Sequence, residues 1–291
     1  MKDLKCFSGD IKTDLIDREP FRINHKLVDH PALSLENISK VILTHPKDKV
    51  MFSKGLDHLG INFDKALVKE KDKLDINEIV ETIRTSNSYI AVRSAELHPS
   101  FKDLFQDILS DVEGFMKINK TGKKAHVPMI WLFIASPGAV TPFHFDRFSN
   151  FIMQIRGSKE LAVFPPGHEA VVATRDTEAY LDWDVETPPW RDEMEAYAHK
   201  FNFKAGEAVH IPYTSGHYVK NGMDDISITL SVFYHSDETL MWSKAMRLNN
   251  RLRNRGYNPT PAKQSVVKDK LKATIFPYVN KLSTTLSKFK S

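Results

Sequence analysis

The middle of the chain, residues 127–234, consists of short apolar runs separated by proline and glycine turns, and this pattern constrains the fold more than any other feature. Six runs resemble strands, at residues 129–135, 150–155, 161–164, 201–204, 208–211 and 226–233. The last run alternates apolar and polar residues, which is typical of a strand with one buried face. Several short strands at this spacing predict a β-sandwich or a β-barrel.

The segments on either side of this β region have other patterns, so we divide the 291 residues into three parts. Residues 1–125 mix helix and strand patterns and are expected to form an α/β region that packs on the barrel. Residues 126–235 form the predicted barrel, with an insertion at about 165–200 that is rich in charged residues and contains two tryptophans. Residues 236–291 are predicted to form two basic amphipathic helices.

Cysteine content and hydropathy bear on the cellular compartment. The single cysteine, Cys6, cannot form an intrachain disulfide, so the sequence does not require an oxidising compartment. The first five residues lead into no apolar run, so we expect no signal peptide. The longest uncharged run, 127–145, contains three prolines and a glycine and therefore predicts a buried strand and a turn, not a membrane helix. We expect a cytoplasmic protein without a membrane span.

The formal net charge of +4 is unevenly distributed. Residues 236–291 carry 12 Lys and Arg against 3 Asp and Glu, whereas the rest of the chain carries 29 bases and 34 acids. A basic segment on an acidic body suits contact with nucleic acid or acidic lipid. A solvated helical face is the more common reading, so we do not expect nucleic acid as a partner.

The most informative motif is Thr-Pro-Phe-His-Phe-Asp at residues 141–146. Side chains two apart on a strand project from the same face, so His144 and Asp146 can converge on one metal ion. His217, which we place in a turn after the 208–211 strand, is the best candidate for a second histidine. Two imidazoles and one carboxylate form the ligand set of non-haem Fe(II) oxygenases. His210 is a rival third ligand, although its place on a strand favours a packed residue.

Four segments together resemble a known family. They are residues 141–146, Asn-Phe-Ile-Met-Gln-Ile-Arg-Gly-Ser-Lys at 150–159, Phe-Pro-Pro at 164–166, and Ala-Gly-Glu-Ala-Val-His-Ile-Pro at 205–212. In this combination the sequence resembles the JmjC-type, cupin-like 2-oxoglutarate oxygenases, and most of all the small asparaginyl-hydroxylase-like group. The resemblance covers about residues 127–235. It departs at 205–207, where the family has Pro-Gly-Asp, and this change affects a turn and not a ligand.

The resemblance implies a fold and a set of site residues. The fold is mainly β with flanking helices, in which a double-stranded β-helix (jelly-roll) barrel is combined with N-terminal α/β elements and a C-terminal helical pair. The implied iron ligands are His144, Asp146 and His217. The residues implied for 2-oxoglutarate are Lys159 and Thr141 on its distal carboxylate, Asn150 in the pocket wall, and Ser231 where relatives often have an Asn.

The implied reaction is Fe(II)-, O₂- and 2-oxoglutarate-dependent hydroxylation of a protein side chain or a small molecule, with release of succinate and CO₂. Demethylation of methyl-lysine uses the same chemistry, but the chain has no recognisable reader module for histone tails, so we prefer plain hydroxylation. Two alternatives stay open. One is a metal-binding cupin with other chemistry, such as a sugar isomerase, and the other is a non-catalytic barrel that acts as a regulatory or interaction protein.

The acidic insertion and the C-terminal helices suggest partners. In related barrels such an insertion covers the mouth of the site, so we expect Asp182, Trp183, Asp184 and Trp190 to contact a cationic peptide or a basic metabolite. A solvated loop is the equal alternative. The C-terminal helices resemble those through which related hydroxylases dimerise, so we expect a homodimer, although their apolar faces could equally pack on the chain's own barrel.

Overall fold

Two antiparallel sheets carry the architecture of this computed structural model, which describes residues 4–54, 58–61 and 82–288. The strands of the described residues are β1 (Phe7–Ser8), β2 (Phe21–His25), β3 (Val50–Lys54), β4 (Ser88–Val92), β5 (His126–Ala135), β6 (Val140–Phe145), β7 (Ser149–Arg156), β8 (Ser158–Val163), β9 (His199–Lys204), β10 (Glu207–Ile211), β11 (Gly216–Asn221) and β12 (Ser227–His235). The α-helices of the same residues are α1 (Leu35–Thr44), α2 (Lys102–Ile118), α3 (Thr174–Leu181), α4 (Asp237–Arg253) and α5 (Val266–Lys288).

The larger sheet has eight strands in the order β1-β2-β10-β7-β12-β5-β4-β3, and the smaller has four in the order β6-β11-β8-β9. Non-consecutive strands are neighbours in both sheets, as expected when a chain winds between two facing sheets. The mainly β fold with flanking helices that the sequence predicts is therefore confirmed, and the arrangement is consistent with a jelly roll. The N-terminal region also contributes strands directly, because β1 and β2 extend one edge of the larger sheet and β3 and β4 extend the other.

The helices of the N-terminal region cover the outer face of the larger sheet. Helix α1 begins after Ser34, whose side chain accepts a hydrogen bond from the backbone N–H of Asn37, as an N-cap serine should. Helix α2 buries a stripe of apolar side chains in the main core, together with Phe7 of β1 and Phe151 of β7. The carboxylate of Asp111 on α2 accepts hydrogen bonds from the backbone N–H groups of residues 5–7 and so holds this segment on the helix.

The strands that carry the site are joined by a tight connection at Gly157, which lies between β7 and β8 with a φ of +74°. A Cβ at this position would lie 2.5 Å from the carbonyl oxygen of Ile226. Only glycine combines this backbone conformation with so close an approach to another strand. The turn therefore sets the register that places Lys159 on β8.

The acidic insertion packs on the basic C-terminal helices. Glu178 of α3 is fully buried and pairs with Arg253 of α4 at 2.7 Å. Asp182, which follows α3, pairs with both Arg247 and Arg251 of α4, at 3.2 and 2.9 Å. Part of the charge asymmetry of the sequence is thus neutralised within the chain. None of the helices that the structure describes is both long and apolar enough to cross a membrane.

Candidate metal centre and co-substrate cavity

A cavity lies between the two sheets, and we call it the inner cavity. Inward-facing residues of β12, namely Ser227, Thr229, Ser231 and Phe233, form one wall. They occupy alternate positions because successive side chains on a strand point to opposite faces. Residues of β6, β8 and β11 form the opposite wall. The cavity is therefore built from strand positions, which are the most rigid part of the fold.

His144, Asp146 and His217 meet at one end of the inner cavity. Strands β6 and β11 pair so that His144 and His217 lie directly opposite each other, with ring centroids 4.2 Å apart. Asp146 follows the last residue of β6, and its Oδ2 lies 3.7 Å from Nε2 of His217. One ligand atom from each of the three residues lies within 4.8 Å of the others. The structure thus brings the three predicted ligands together, although His217 lies on strand β11 and not in the turn that we expected.

Backbone hydrogen bonds orient both imidazoles. Nδ1 of His144 lies 2.8 Å from the carbonyl oxygen of Pro142, and Nδ1 of His217 lies 3.1 Å from that of Ser215. A carbonyl only accepts, so each Nδ1 carries a proton, and Nε2 is the nitrogen of each ring that can bind a metal ion. Burial, followed by the neighbouring His144, holds the pKa of His217 well below its usual value. Histidine binds metals as a neutral imidazole, and the N–H of the other ring nitrogen commonly donates a hydrogen bond to a backbone carbonyl.

His210 has a different environment from the three residues of the metal centre. It is fully buried between Phe21 and Phe151, and its Nε2 accepts a hydrogen bond from the backbone N–H of Asp17 at 3.0 Å. Its Nδ1 lies 3.1 Å from the carbonyl oxygen of Asn150. Burial lowers the pKa of His210 to about 4, so the ring is neutral. Both ring nitrogens are engaged by the backbone, which makes His210 a packed residue and not a ligand.

Lys159 lies on the wall of the inner cavity, on strand β8. Its side chain is buried, and its Nζ donates a hydrogen bond to the hydroxyl of Thr229, which in turn donates to Oε1 of Gln154 at 3.1 Å. Burial lowers the pKa of Lys159 from the usual 10.5 to about 7. A buried ammonium is stabilised by an anion, and a buried lysine with no anion beside it prefers to lose its proton. The position is therefore suited to a ligand that brings a negative charge.

Several polar atoms on the cavity wall are buried and have no hydrogen-bond partner within the described structure. They are Oδ1 of Asn150, Oγ of Ser231, Oδ1 of Asn221 and Nε1 of Trp131. Buried polar groups are nearly always paired in folded proteins, so a group of such atoms around one cavity indicates a polar ligand. The chemistry of the cavity fits a dicarboxylate at the Lys159 end and a metal ion at the His144 end.

The remaining predicted co-substrate residues also line the inner cavity. Thr141 lies on β6 and shares a hydrogen bond with the hydroxyl of Tyr89 on β4. The amide nitrogen of Asn150 lies 3.4 Å from Oδ2 of Asp146, so this residue reaches toward the metal centre as well as into the cavity. Ser231 lies on β12.

Sequence reasoning missed five polar residues of the cavity, namely Tyr89, Trp131, Asn221, Ser227 and Thr229. Thr229 shares the alternating pattern of β12 with Ser231, so the pattern itself could have indicated it. Tyr89 and Trp131 come from strands whose place in the sheet order follows from tertiary pairing, and no local pattern in the sequence indicates them.

A wider outer cavity of about 560 Å³ opens over the metal centre and shares Trp131, His144, Asp146 and Phe233 with the inner cavity. Of the four residues predicted to contact substrate, only Trp183 lines it. Asp182 is turned toward α4 and pairs with its arginines, and Asp184 accepts hydrogen bonds from Asn250 and Asn254. Trp190 packs against Phe143, Phe164 and Tyr218. These placements correct the expectation that Asp182, Asp184 and Trp190 line the mouth of the site.

A model of the cupin-like domain family matches residues 36–239, and the chain belongs to this family. JmjC domain-containing protein F of Dictyostelium discoideum is 29% identical over 116 residues, which cover 36% of this chain and 24% of that protein. The chain thus spans about a quarter of the length of the curated relative that it matches. The predicted resemblance to JmjC-type, cupin-like proteins is confirmed.

Two solved structures of a bacterial protein are similar to most of the chain. The ribosomal oxygenase YcfD of Escherichia coli, in complex with cobalt and 2-oxoglutarate, is 12% identical with a TM-score of 0.48, and the match covers 94% of this chain and 68% of that one. The same protein in complex with cobalt and succinic acid is 12% identical with a TM-score of 0.47, and the coverage is the same.

Proposed function

We propose that this protein is an Fe(II)- and 2-oxoglutarate-dependent oxygenase that hydroxylates its substrate. The observation that carries the proposal is the pairing of His144 and His217 across two strands, with Asp146 beside them, at one end of a cavity that has a buried lysine in its wall. Two histidines and one carboxylate on one side of a metal ion leave its other positions open for ligands.

In this proposal the residues of the metal centre and of the inner cavity bind or orient the iron and 2-oxoglutarate. His144, Asp146 and His217 hold Fe(II), and the carbonyls of residues 142 and 215 keep the two rings turned toward it. Lys159 forms a charge-assisted hydrogen bond with the distal carboxylate of 2-oxoglutarate, and the Thr141 hydroxyl lies on the same cavity wall to donate a second one. When bound, iron, 2-oxoglutarate and O₂ supply the oxidising chemistry that releases succinate and CO₂ and adds oxygen to a C–H bond.

The walls of the inner cavity exclude bulk water from this chemistry. Apolar side chains such as Phe133, Ile152 and Val219 line the cavity together with the polar ones. A dry cavity strengthens the interaction between Lys159 and a carboxylate, because the effective dielectric constant is lower than in water. The metal centre and Lys159 lie at different ends of the inner cavity, so a diacid long enough to reach both would be bound at both of its ends.

The test is formation of succinate from 2-oxoglutarate by the purified protein with Fe(II) and ascorbate in air. We expect slow turnover without substrate and faster turnover when a fraction of a cell metabolite or peptide extract supplies the substrate. Replacement of Fe(II) by Zn(II), which has no redox chemistry, should abolish it. Metal binding without any succinate would instead favour a non-catalytic regulatory barrel. Release of formaldehyde would indicate demethylation in place of plain hydroxylation.

We also propose that the chain forms a homodimer through helix α5. Val267, Leu271 and Tyr278 lie along this helix and are 79%, 61% and 70% exposed, which is unusual for a row of apolar side chains on a soluble monomer. A second copy of the chain would bury this row against the same row of its partner, as in a two-fold symmetric contact. The mass of the protein in solution, measured by light scattering, should be twice that of one chain. Leu271→Asp should halve it, whereas Lys270→Asp, a matched change at the neighbouring position, should not.

A further inference from the structure

The outer cavity is the space through which a substrate would approach the metal centre, and its charge is unusual. Three arginines line it, Arg93, Arg147 and Arg247, and Asp146 is the only acidic residue among its described lining residues. Asp146 is also a proposed metal ligand, so a bound metal ion would compensate its negative charge. The outer cavity therefore presents cationic groups to whatever enters it.

The three guanidinium groups come from three distant parts of the chain, and each lies over an aromatic ring. Arg93 follows β4, and its guanidinium lies 4.6 Å from the ring centre of Trp131. Arg147 directly follows Asp146 and lies 3.7 Å from the ring centre of Tyr180 and 3.5 Å from that of Trp183. Stacking on rings keeps a guanidinium in position without neutralising its charge.

Arg147 is fixed further by a hydrogen bond from its guanidinium to the carbonyl oxygen of Tyr180, at 3.0 Å. Arg147 lines the same cavity as His144 and Asp146, so its guanidinium is a positioned cation in the cavity that opens over the metal centre.

Arg247 on α4 pairs with Asp182, but Asp182 also pairs with Arg251. Two arginines thus share one carboxylate, so Asp182 neutralises Arg247 only in part. The remaining wall is largely apolar and includes Met51, Met129 and Leu181, together with the polar residues His235 and Ser243. A cavity of several hundred cubic ångströms with apolar walls and a few converging polar groups is typical of sites for small organic molecules.

From these contacts we infer that the substrate is a small organic anion, with an apolar body and a carboxylate or phosphate group that the arginines bind. The inference rests on the proposed oxygenase function and adds the chemical class of its substrate. Arginine pairs with planar carboxylates and with phosphates through two parallel hydrogen bonds, so either group fits. A cationic peptide or a basic metabolite would meet like charges in the cavity, so the structure disfavours the substrate class that the acidic insertion suggested.

The experiment measures binding without turnover. The protein is saturated with Mn(II) and N-oxalylglycine, an unreactive analogue of 2-oxoglutarate, so that the inner cavity is filled. Three probes with the same phenylbutyl body, 5-phenylpentanoate, 4-phenylbutyl phosphate and 4-phenylbutylamine, are then titrated by calorimetry. We expect both anions to bind and the amine to bind at least roughly tenfold more weakly, which is the effect of one charge-assisted hydrogen bond. The two anions distinguish a carboxylate site from a phosphate site.

Variants locate the binding site. Arg93→Gln and Arg147→Gln should each weaken binding of the preferred anion roughly tenfold and leave the affinity for N-oxalylglycine unchanged. Arg93 is exposed, so its replacement has little consequence for folding. Arg175→Gln is the matched control, because Arg175 is exposed on α3 and does not line the outer cavity.

The inference is overturned if the amine binds as tightly as the anions, or if the arginine variants bind the anions as the unchanged protein does. These outcomes are distinct from failure of the proposed function. That failure would appear as absence of N-oxalylglycine binding or of succinate formation by the unchanged protein, whether or not the outer cavity binds anions.

Discussion

His217→Ala should abolish specific metal binding and, with it, all formation of succinate. The substitution removes one of the three groups that converge within 4.8 Å. Loss of an outer hydrogen bond to a metal ligand already costs about 10- to 100-fold in metal affinity, and loss of the ligand itself should cost more. The measurement is titration with Co(II), whose visible spectrum reports its ligands, or calorimetry with Mn(II). Because His217 lies on a strand inside the fold, circular dichroism is recorded in parallel to show that the variant is folded.

Two other histidines supply the controls for this result. His199→Ala removes an exposed histidine on β9 and should leave metal affinity unchanged, which excludes a general effect of histidine content. His210→Asn tests the rival ligand with a side chain that retains a hydrogen-bond acceptor for the N–H of Asp17. This variant should bind metal as before, although loss of the packed ring should lower its stability. Retention of tight metal binding by His217→Ala, or its loss in His210→Asn when that protein is folded, would contradict the assignment.

The sequence predicted the convergence of His144, Asp146 and His217 better than the lining of the outer cavity, and the reason is physical. His144 and Asp146 are two apart on one strand, so the period of the strand alone places them together. His217 could be joined to them only through the family resemblance, since the pairing of β6 with β11 brings residues from distant parts of the chain together. Its strand was missed because Gly216, the first residue of β11, together with the nearby Pro212 was read as part of a turn. The β strands themselves were predicted well, since their alternation and turn residues are local signals.

The role of β12 shows where a local pattern has two meanings. Its alternation predicts one buried and one solvent-facing side, yet every residue of Ser227–His235 is buried. The polar positions face the inner cavity and not bulk water. Hydropathy cannot distinguish these cases, because a polar cavity and the solvent select the same side chains. Whether a polar face borders a cavity or the solvent depends on the neighbouring strands, and their order follows from the whole fold.

The acidic insertion was misread for a related reason. Asp182 and Asp184 are acidic in sequence, but α4 brings arginines and asparagines to them. Charge counted along the chain therefore gave the opposite sign to the charge of the outer cavity, where arginines from three elements meet. A local surplus of acid describes a surface only when no distant base pairs with it.

Lys159→Met should weaken binding of 2-oxoglutarate and at the same time stabilise the protein without ligand. The charge-assisted hydrogen bond that the lysine forms with a carboxylate is worth roughly 1.5–3 kcal/mol, so the affinity for 2-oxoglutarate should fall about ten- to a hundredfold. Methionine has a similar length and no charge, so it removes the cost of burying an ammonium group. Calorimetry with Mn(II)-loaded protein measures the first effect, and thermal unfolding without ligand measures the second.

The stabilisation of the ligand-free protein by Lys159→Met depends on pH in a definite direction. The pKa of Lys159 is lowered to about 7 in the folded protein, whereas the unfolded chain has the usual value of 10.5. Between these two values the unfolded state binds more protons, so Lys159 makes the folded state gain stability as the pH rises from about 7 toward 10.5. The stabilisation by Lys159→Met should therefore be largest at or below pH 7 and should decrease at higher pH. Lys204→Met, a matched change at an exposed position on β9, should show neither effect.

Opposite changes in stability and affinity distinguish a binding residue from a structural one. A lysine that serves the fold would lose stability on replacement, and its loss of ligand affinity would follow from that damage. Replacing a lysine whose burial destabilises the ligand-free protein has the opposite effect on stability. The protein becomes more stable but binds the anion more weakly, because only the ligand provides a negative charge for this lysine. If Lys159→Met lowers the unfolding temperature throughout the pH range and binds 2-oxoglutarate as the unchanged protein does, the lysine belongs to the fold. The dicarboxylate end of the inner cavity would then have to be assigned to other residues.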